Sequence, residues 1–211
     1  MKIENDLGRD DIRRLVLRLA IPSMLAQFIN VLYSVVDRIY IGNIPVIGET
    51  ALAGVGVSGP IVTLISAFAY LVGLGGSPLM SIRMGEGQNE KAKKILANSF
   101  WMIVGLSAVL TLVLFVFKRE ILTRFGVSEA ILPYAESYFT IYLLGTVFAL
   151  LSIGMNQFII CQGFARIGMI SVALGAVTNI VLDPVFIFVL DMGVAGAAFA
   201  TVLSQLASAV F

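Results

Sequence analysis

The chain has 211 residues, of which 59% are hydrophobic and 13% charged, with a formal net charge of +1 and a mean hydropathy of +0.98. Soluble domains carry about 25% charged residues, so this composition belongs to an integral membrane protein. One cysteine, Cys161, and no histidine exclude an intramolecular disulfide, a histidine-based metal site and a Ser-His or Cys-His nucleophile pair. No enzymatic activity, cofactor or nucleic-acid partner is expected, and the lipid bilayer is the first partner.

A membrane span takes about 20 mostly apolar residues, and six stretches reach that length: 19–41, 52–82, 95–117, 137–162, 167–190 and 194–211. The polar residues before the first stretch lack the short apolar core and small-residue cleavage site of a signal peptide. Pro60 and Pro78 on the second stretch and Pro184 on the fifth each remove a backbone hydrogen bond, so bends are expected there. Gly73, Gly75 and Gly76 make the weakest helical stretch, where either a hinge or loose packing is expected. Trp101, Tyr40, Tyr134 and Tyr142, together with Glu136 and Tyr138, fall where interfacial residues are expected. Met24, Met80, Met102, Met155 and Met169 suit packing or a pocket for varied apolar ligands. On the sixth stretch Gly196, Ala200, Ser204 and Ser208 recur every four residues, a small-residue face that lets helices approach closely. With the N-terminus cytoplasmic, that side holds ten of the fourteen Lys and Arg residues, among them Arg18, Arg83 and Arg166; the positive-inside rule favours this orientation.

Two acids lie inside the spans. An aspartate at the bilayer centre costs about 2.5–3.5 kcal/mol even on lenient scales, so its presence asks for a function. On the first span Asn30, Tyr33 and Asp37 share one helical face. On the fifth, Ser171, Gly175, Asn179 and Asp183 recur every four residues, so a groove of small side chains runs into an Asn–Asp pair. Both spans run in the same direction, and both acids lie about 16–18 residues from their starts, hence at one depth. Thr201, on the returning sixth span, reaches a comparable level. For Asp37 the neighbouring Arg38 also allows a plain interfacial ion pair. Asp183 has no basic residue in its span, so it must be protonated, bind a cation or pair across helices. Carboxylate, amide and hydroxyl oxygens are hard ligands that suit Na⁺ as well as they suit a proton site. Asn156 and Gln157 on the fourth span fit interhelical hydrogen bonding or cavity lining.

At these residues the chain resembles the multidrug and toxic compound extrusion (MATE) family. The resemblance is carried by Leu19-Ala-Ile-Pro-Ser-Met, Val36-Asp37-Arg38-Ile-Tyr-Ile-Gly42, Gly154-Met-Asn156-Gln-Phe-Ile, Thr178-Asn179-Ile-Val-Leu-Asp183-Pro184 and Gly193-Val-Ala-Gly196-Ala-Ala-Phe-Ala-Thr201. The polar cluster is most similar to that of the DinF-type branch. The resemblance implies an all-α polytopic membrane protein in which Asp37, Asn179, Asp183 and Thr201 form a proton-coupling or Na⁺-coupling site. It also implies that Asn30, Tyr33 and Asn156 line a substrate cavity. Family members have two six-helix lobes, so residues 1–18 are expected to be a cytoplasmic N-terminal segment and 19–211 an N-terminal lobe. A C-terminal lobe, or a second half-transporter, is then the missing partner.

The implied function is an H⁺-coupled or Na⁺-coupled antiporter that exports amphipathic or cationic compounds across the cell membrane. A lipid-linked precursor flippase on a related scaffold is the alternative, and it calls for a basic cavity. An inactive membrane fragment is the third reading, and it calls for no cation-dependent binding.

Overall fold

A computed structural model describes residues 11–211, so Lys2, Arg9 and most of the expected N-terminal segment lie outside the described residues. Among the described residues the fold is entirely helical. Helix α1 spans Ile12–Gly42 and α2 Gly48–Gly85; α3 follows at Asn89–Arg124. A short pair, α4 (Leu132–Leu144) and α5 (Thr146–Cys161), leads to α6 (Ala165–Pro184), a π-helical turn at Val185–Val189 and α7 (Gly193–Val210). Among the described residues five helical segments are long and apolar enough to cross a membrane, and the α4–α5 pair makes a sixth crossing if taken as one bent span. The chain is a multi-pass membrane protein.

The helices run past the apolar stretches that announce them. Helix α1 begins at Ile12 rather than near residue 19 because the Asp11 carboxylate accepts hydrogen bonds from the Arg13 and Arg14 amides, at 3.1 and 3.2 Å, and satisfies the otherwise unpaired first turn. Helix α3 likewise continues to Arg124, since hydropathy marks the lipid-immersed part of a helix and not its polar ends.

A further bend lies where no proline stands. Helix α2 runs through Pro60 and Pro78 as one continuous element, and two of its glycines, Gly73 and Gly76, are close contact points with α5. A methyl group on Gly73 would lie 2.9 Å from the Gly154 carbonyl oxygen of α5, and one on Gly76 would lie 2.6 Å from the Phe158 ring. The sharp bend falls between α4 and α5, which meet at 57° around Gly145. A methyl group there would come within 2.4 Å of Val202 on α7, so glycine lets α7 press into the corner. Beyond Pro184 the regular helix does give way, to the π-helical turn.

Helices α2 to α5 enclose the main apolar core, with Ile61, Ile65, Ile103, Phe139, Leu143 and Leu150 fully buried. A smaller cluster forms around Met80, Ala92 and Phe158. Helix α1 sits at the edge, packed chiefly against α6, and leaves Met24, Phe28, Val31 and Val35 exposed. Trp101 and Met102 are exposed on α3. Large apolar side chains open on this scale fit a hydrocarbon surround or a further protein surface.

Candidate functional site

The α6–α7 contact is built from the two four-residue repeats. The Ser171 hydroxyl donates to the Ser208 carbonyl oxygen at 2.9 Å and lies 2.9 Å from the Ser208 hydroxyl. Gly175 lies against the Ser204 carbonyl. At the other end Gly196 abuts the backbone of Phe186 in the π-helical turn. Close approach of these backbones carries the rest of the α6 repeat, Asn179 and Asp183, into the interior, where both are 0% exposed.

Helix α1 brings Asp37 to the same place. Asp37 is buried, whereas the adjacent Arg38 is exposed and acts on Asp37 as a neighbouring positive charge. The Asp37 and Asp183 carboxyls lie within side-chain hydrogen-bonding range of each other. The Asn179 amide donates to Asp183 Oδ1 at 3.3 Å. Within this cluster Asp37 Oδ1, Asn179 Oδ1 and Asp183 Oδ2 are buried with no hydrogen-bond partner among the described residues. Thr201 is buried on α7 near Tyr138, whose hydroxyl lies in the field of Asp37.

Beside this cluster is a cavity of about 310 Å³ between α1, α2, α5, α6 and α7, lined by Asn30, Tyr33, Asn156, Gln157, Tyr70 and Gln205 among others. Among the described residues none of its lining side chains is charged. Tyr33 belongs to both places, because it lines the cavity and feels the charges of Asp37 and Asp183. Asn156 has a second role: its amide donates to the Gly168 carbonyl at 3.0 Å and ties α5 to α6. Of the methionines, Met155 packs beside the core and Met169 faces a separate groove; none lines this cavity.

Tyr138 and Tyr142 are corrected by the structure. Neither is interfacial: they are 7% and 2% exposed, stacked at 6.4 Å, with Tyr142 in reach of Gln205 and Ser66. A signal for them was available in the spacing. Tyr138 and Tyr142 are one helical turn apart on α4, as are Thr201 and Gln205 on α7, so two rungs can match.

The MatE family model matches residues 22–185. The multidrug export protein MepA of Staphylococcus aureus (strain MSSA476) is 25% identical over 196 residues, covering 93% of this chain and 43% of MepA. The probable multidrug resistance protein YpnP of Bacillus subtilis (strain 168) is 28% identical over 202 residues, covering 95% of this chain and 44% of YpnP. A crystal structure of MATE in complex with MaD5 superposes with a TM-score of 0.90 at 29% identity, over 100% of this chain and 47% of that one. The chain thus spans less than half the length of the relatives it matches. With a family match over most of its length and this fold, the chain belongs to the MatE family.

Proposed function

We propose that this chain is one lobe of a cation-coupled exporter of amphipathic, often cationic compounds, in which Asp37, Asn179, Asp183 and Thr201 take up H⁺ or Na⁺. The observation that carries the reading is the trio of buried oxygens without partners, Asp37 Oδ1, Asn179 Oδ1 and Asp183 Oδ2. An unpaired buried acceptor is costly, and more so when charged. Two neighbouring carboxylates also repel, by about 4 kcal/mol at 4 Å in a medium of intermediate dielectric. A proton or a sodium ion removes both penalties at once. The donor set is carboxylate, amide and hydroxyl oxygen, which suits a hard cation.

Coupling follows if the cation-loaded and cation-free lobes hold substrate differently, because only a difference in affinity between states shifts their balance. Tyr33 is the shared element: it stands beside both acids and lines the cavity with Asn30 and Asn156. Loading the acids changes the charge that its hydroxyl faces, and with it the side of the cavity it presents. The names of MepA and YpnP support multidrug export, and the aspartate facing an Asn–Asp pair supports the DinF-type branch. The second lobe, residues 19–211 acting as a lobe, and a cytoplasmic N-terminus complete the proposal; the excess of basic residues on that face supports the orientation. A flippase for lipid-linked precursors is disfavoured because no Lys or Arg lines the cavity among the described residues.

The test is transport by the full-length protein reconstituted in vesicles, with either a pH gradient or a Na⁺ gradient imposed. The expected result is movement of a fluorescent cationic amphiphile driven by one gradient and abolished when it is collapsed. Equal transport with no gradient would show that the protein is not cation-coupled.

A further inference from the structure

The wall of the cavity is uncharged among the described residues, yet it is not balanced between hydrogen-bond donors and acceptors. Ser23 on α1, Ser152 on α5 and Ser204 on α7 all line it. Each sits inside a helix, where a serine hydroxyl can turn back onto the preceding turn. All three do so: Ser23 donates to the Leu19 carbonyl at 2.9 Å, Ser152 to the Ala149 carbonyl at 3.0 Å and Ser204 to the Thr201 carbonyl at 2.7 Å. A hydroxyl has one hydrogen and two acceptor lone pairs, so these side chains can only accept a further bond. Asn156 gives an amide hydrogen to the Gly168 carbonyl at 3.0 Å, which shifts its remaining capacity the same way. Gln205, beside Ser204, keeps Oε1 buried with no hydrogen-bond partner among the described residues, so the polar capacity left unmet there is again an acceptor.

An acceptor-rich wall without formal charge discriminates among ligands by their donors. A carboxylate or phosphate brings further acceptors, and no lining cation offsets its charge. A positive charge is favourable among oxygen dipoles, but burying it is costly unless its own polar hydrogens are bonded. A protonated amine carries such hydrogens on the charged nitrogen itself. A quaternary ammonium of nearly the same size carries none and leaves the oxygens of the wall without donors. Sites that hydrogen-bond a ligand N–H reject the analogue lacking it far more strongly than apolar pockets reject a change in size, and bonds from a charged donor are the stronger kind.

We propose that this cavity selects protonated amines over quaternary ammonium ions, the ammonium N–H donating to the serine oxygens of the wall, with Ser23, Ser152 and Ser204 as the residues that set the preference. The proposal rests on the reading of the cavity as the substrate site and narrows its substrate class to cations with hydrogen on the charged nitrogen.

The test is equilibrium binding to the full-length protein of two dansyl-labelled amphiphiles that differ only at the head, a dimethylamine and its trimethylammonium analogue, at a pH where the amine is fully protonated. The amine is expected to bind about tenfold more tightly, the effect of one hydrogen bond from a charged donor. In S23A/S152A/S204A the two affinities should converge, chiefly by weaker binding of the amine. Alanine is tolerated at these positions because the lost bonds run only to each serine's own helix. Thr63→Ala is the control: Thr63 also bonds back to its own helix, at 3.0 Å to the Gly59 carbonyl, but it is exposed and lies outside the lining, so the preference should persist. Equal affinities in the wild type, or a preference undiminished in the triple variant, would overturn this proposal and leave the export reading standing. Loss of the preference in Thr63→Ala would also overturn it, and binding of neither probe would remove both readings together.

Discussion

Replacing Asp183 by Asn in the full-length protein is expected to reduce gradient-driven export at least tenfold while leaving the fold intact or slightly more stable. The separation of the two effects comes from the geometry. Asn is nearly isosteric with Asp, and its carbonyl oxygen can still accept the Asn179 amide that now bonds Asp183 Oδ1 at 3.3 Å. The substitution removes a buried charge facing Asp37 and so relieves a repulsion instead of breaking a pair; most damaging buried-charge mutations do the opposite. Asp37→Asn should behave in the same way. The double variant should be no worse than either single one, because groups that act as a unit are strongly non-additive. Export measured in vesicles, beside thermal unfolding of the same preparations, checks both halves. A stability loss that matched the loss of export would assign the acids a structural role instead.

Gly196→Ala is expected to be the more damaging change to the fold, although it adds a single methyl group. That methyl would stand 2.7 Å from both the carbonyl carbon and oxygen of Phe186. Neither is a flexible side-chain tip, so the π-helical turn or α7 must move. Overpacking of this kind costs about 1–3 kcal/mol, and here it also separates the α6 and α7 repeats that bury Asp183. Gly105→Ala, also helical, meets nothing within 4 Å and is the control, expected to be neutral or mildly stabilising from helix propensity. Thermal unfolding of the full-length protein distinguishes the two. Similar midpoints would mean that the α6–α7 contact is looser than its backbone distances require.

The apolar stretches and the four-residue repeats made most of this fold legible in advance. A repeat of small residues that ends in Asn179 and Asp183 has few uses other than close helix packing, and its match in Gly196 to Ser208 gave the partner. The depth of Asp37 was also readable, because helix rise converts residue count to height. The Gly145 bend was not readable. What packs into it is Val202, more than fifty residues away in sequence, and a lone glycine among apolar residues carries no local sign of what approaches it. Tyr138 and Tyr142 were legible only by pairing: a tyrosine near the start of a span reads as interfacial unless its one-turn spacing is matched to that of Thr201 and Gln205 on α7. Helix ends were underestimated for a simpler reason, since charged turns such as those closing α3 continue a helix beyond the apolar interval.

The central claim is that cation and substrate compete through the Asp37–Asp183 cluster. Linkage makes it directly measurable, since a substrate that favours the cation-free state must expel the ion by the same factor by which the ion weakens the substrate. The most direct measurement is release of H⁺ or Na⁺ from the purified full-length protein on addition of a cationic drug. The account predicts release from the wild type and none from Asp37→Asn or Asp183→Asn. Drug binding of unchanged affinity across pH and Na⁺ concentration, with no ion released, would contradict it.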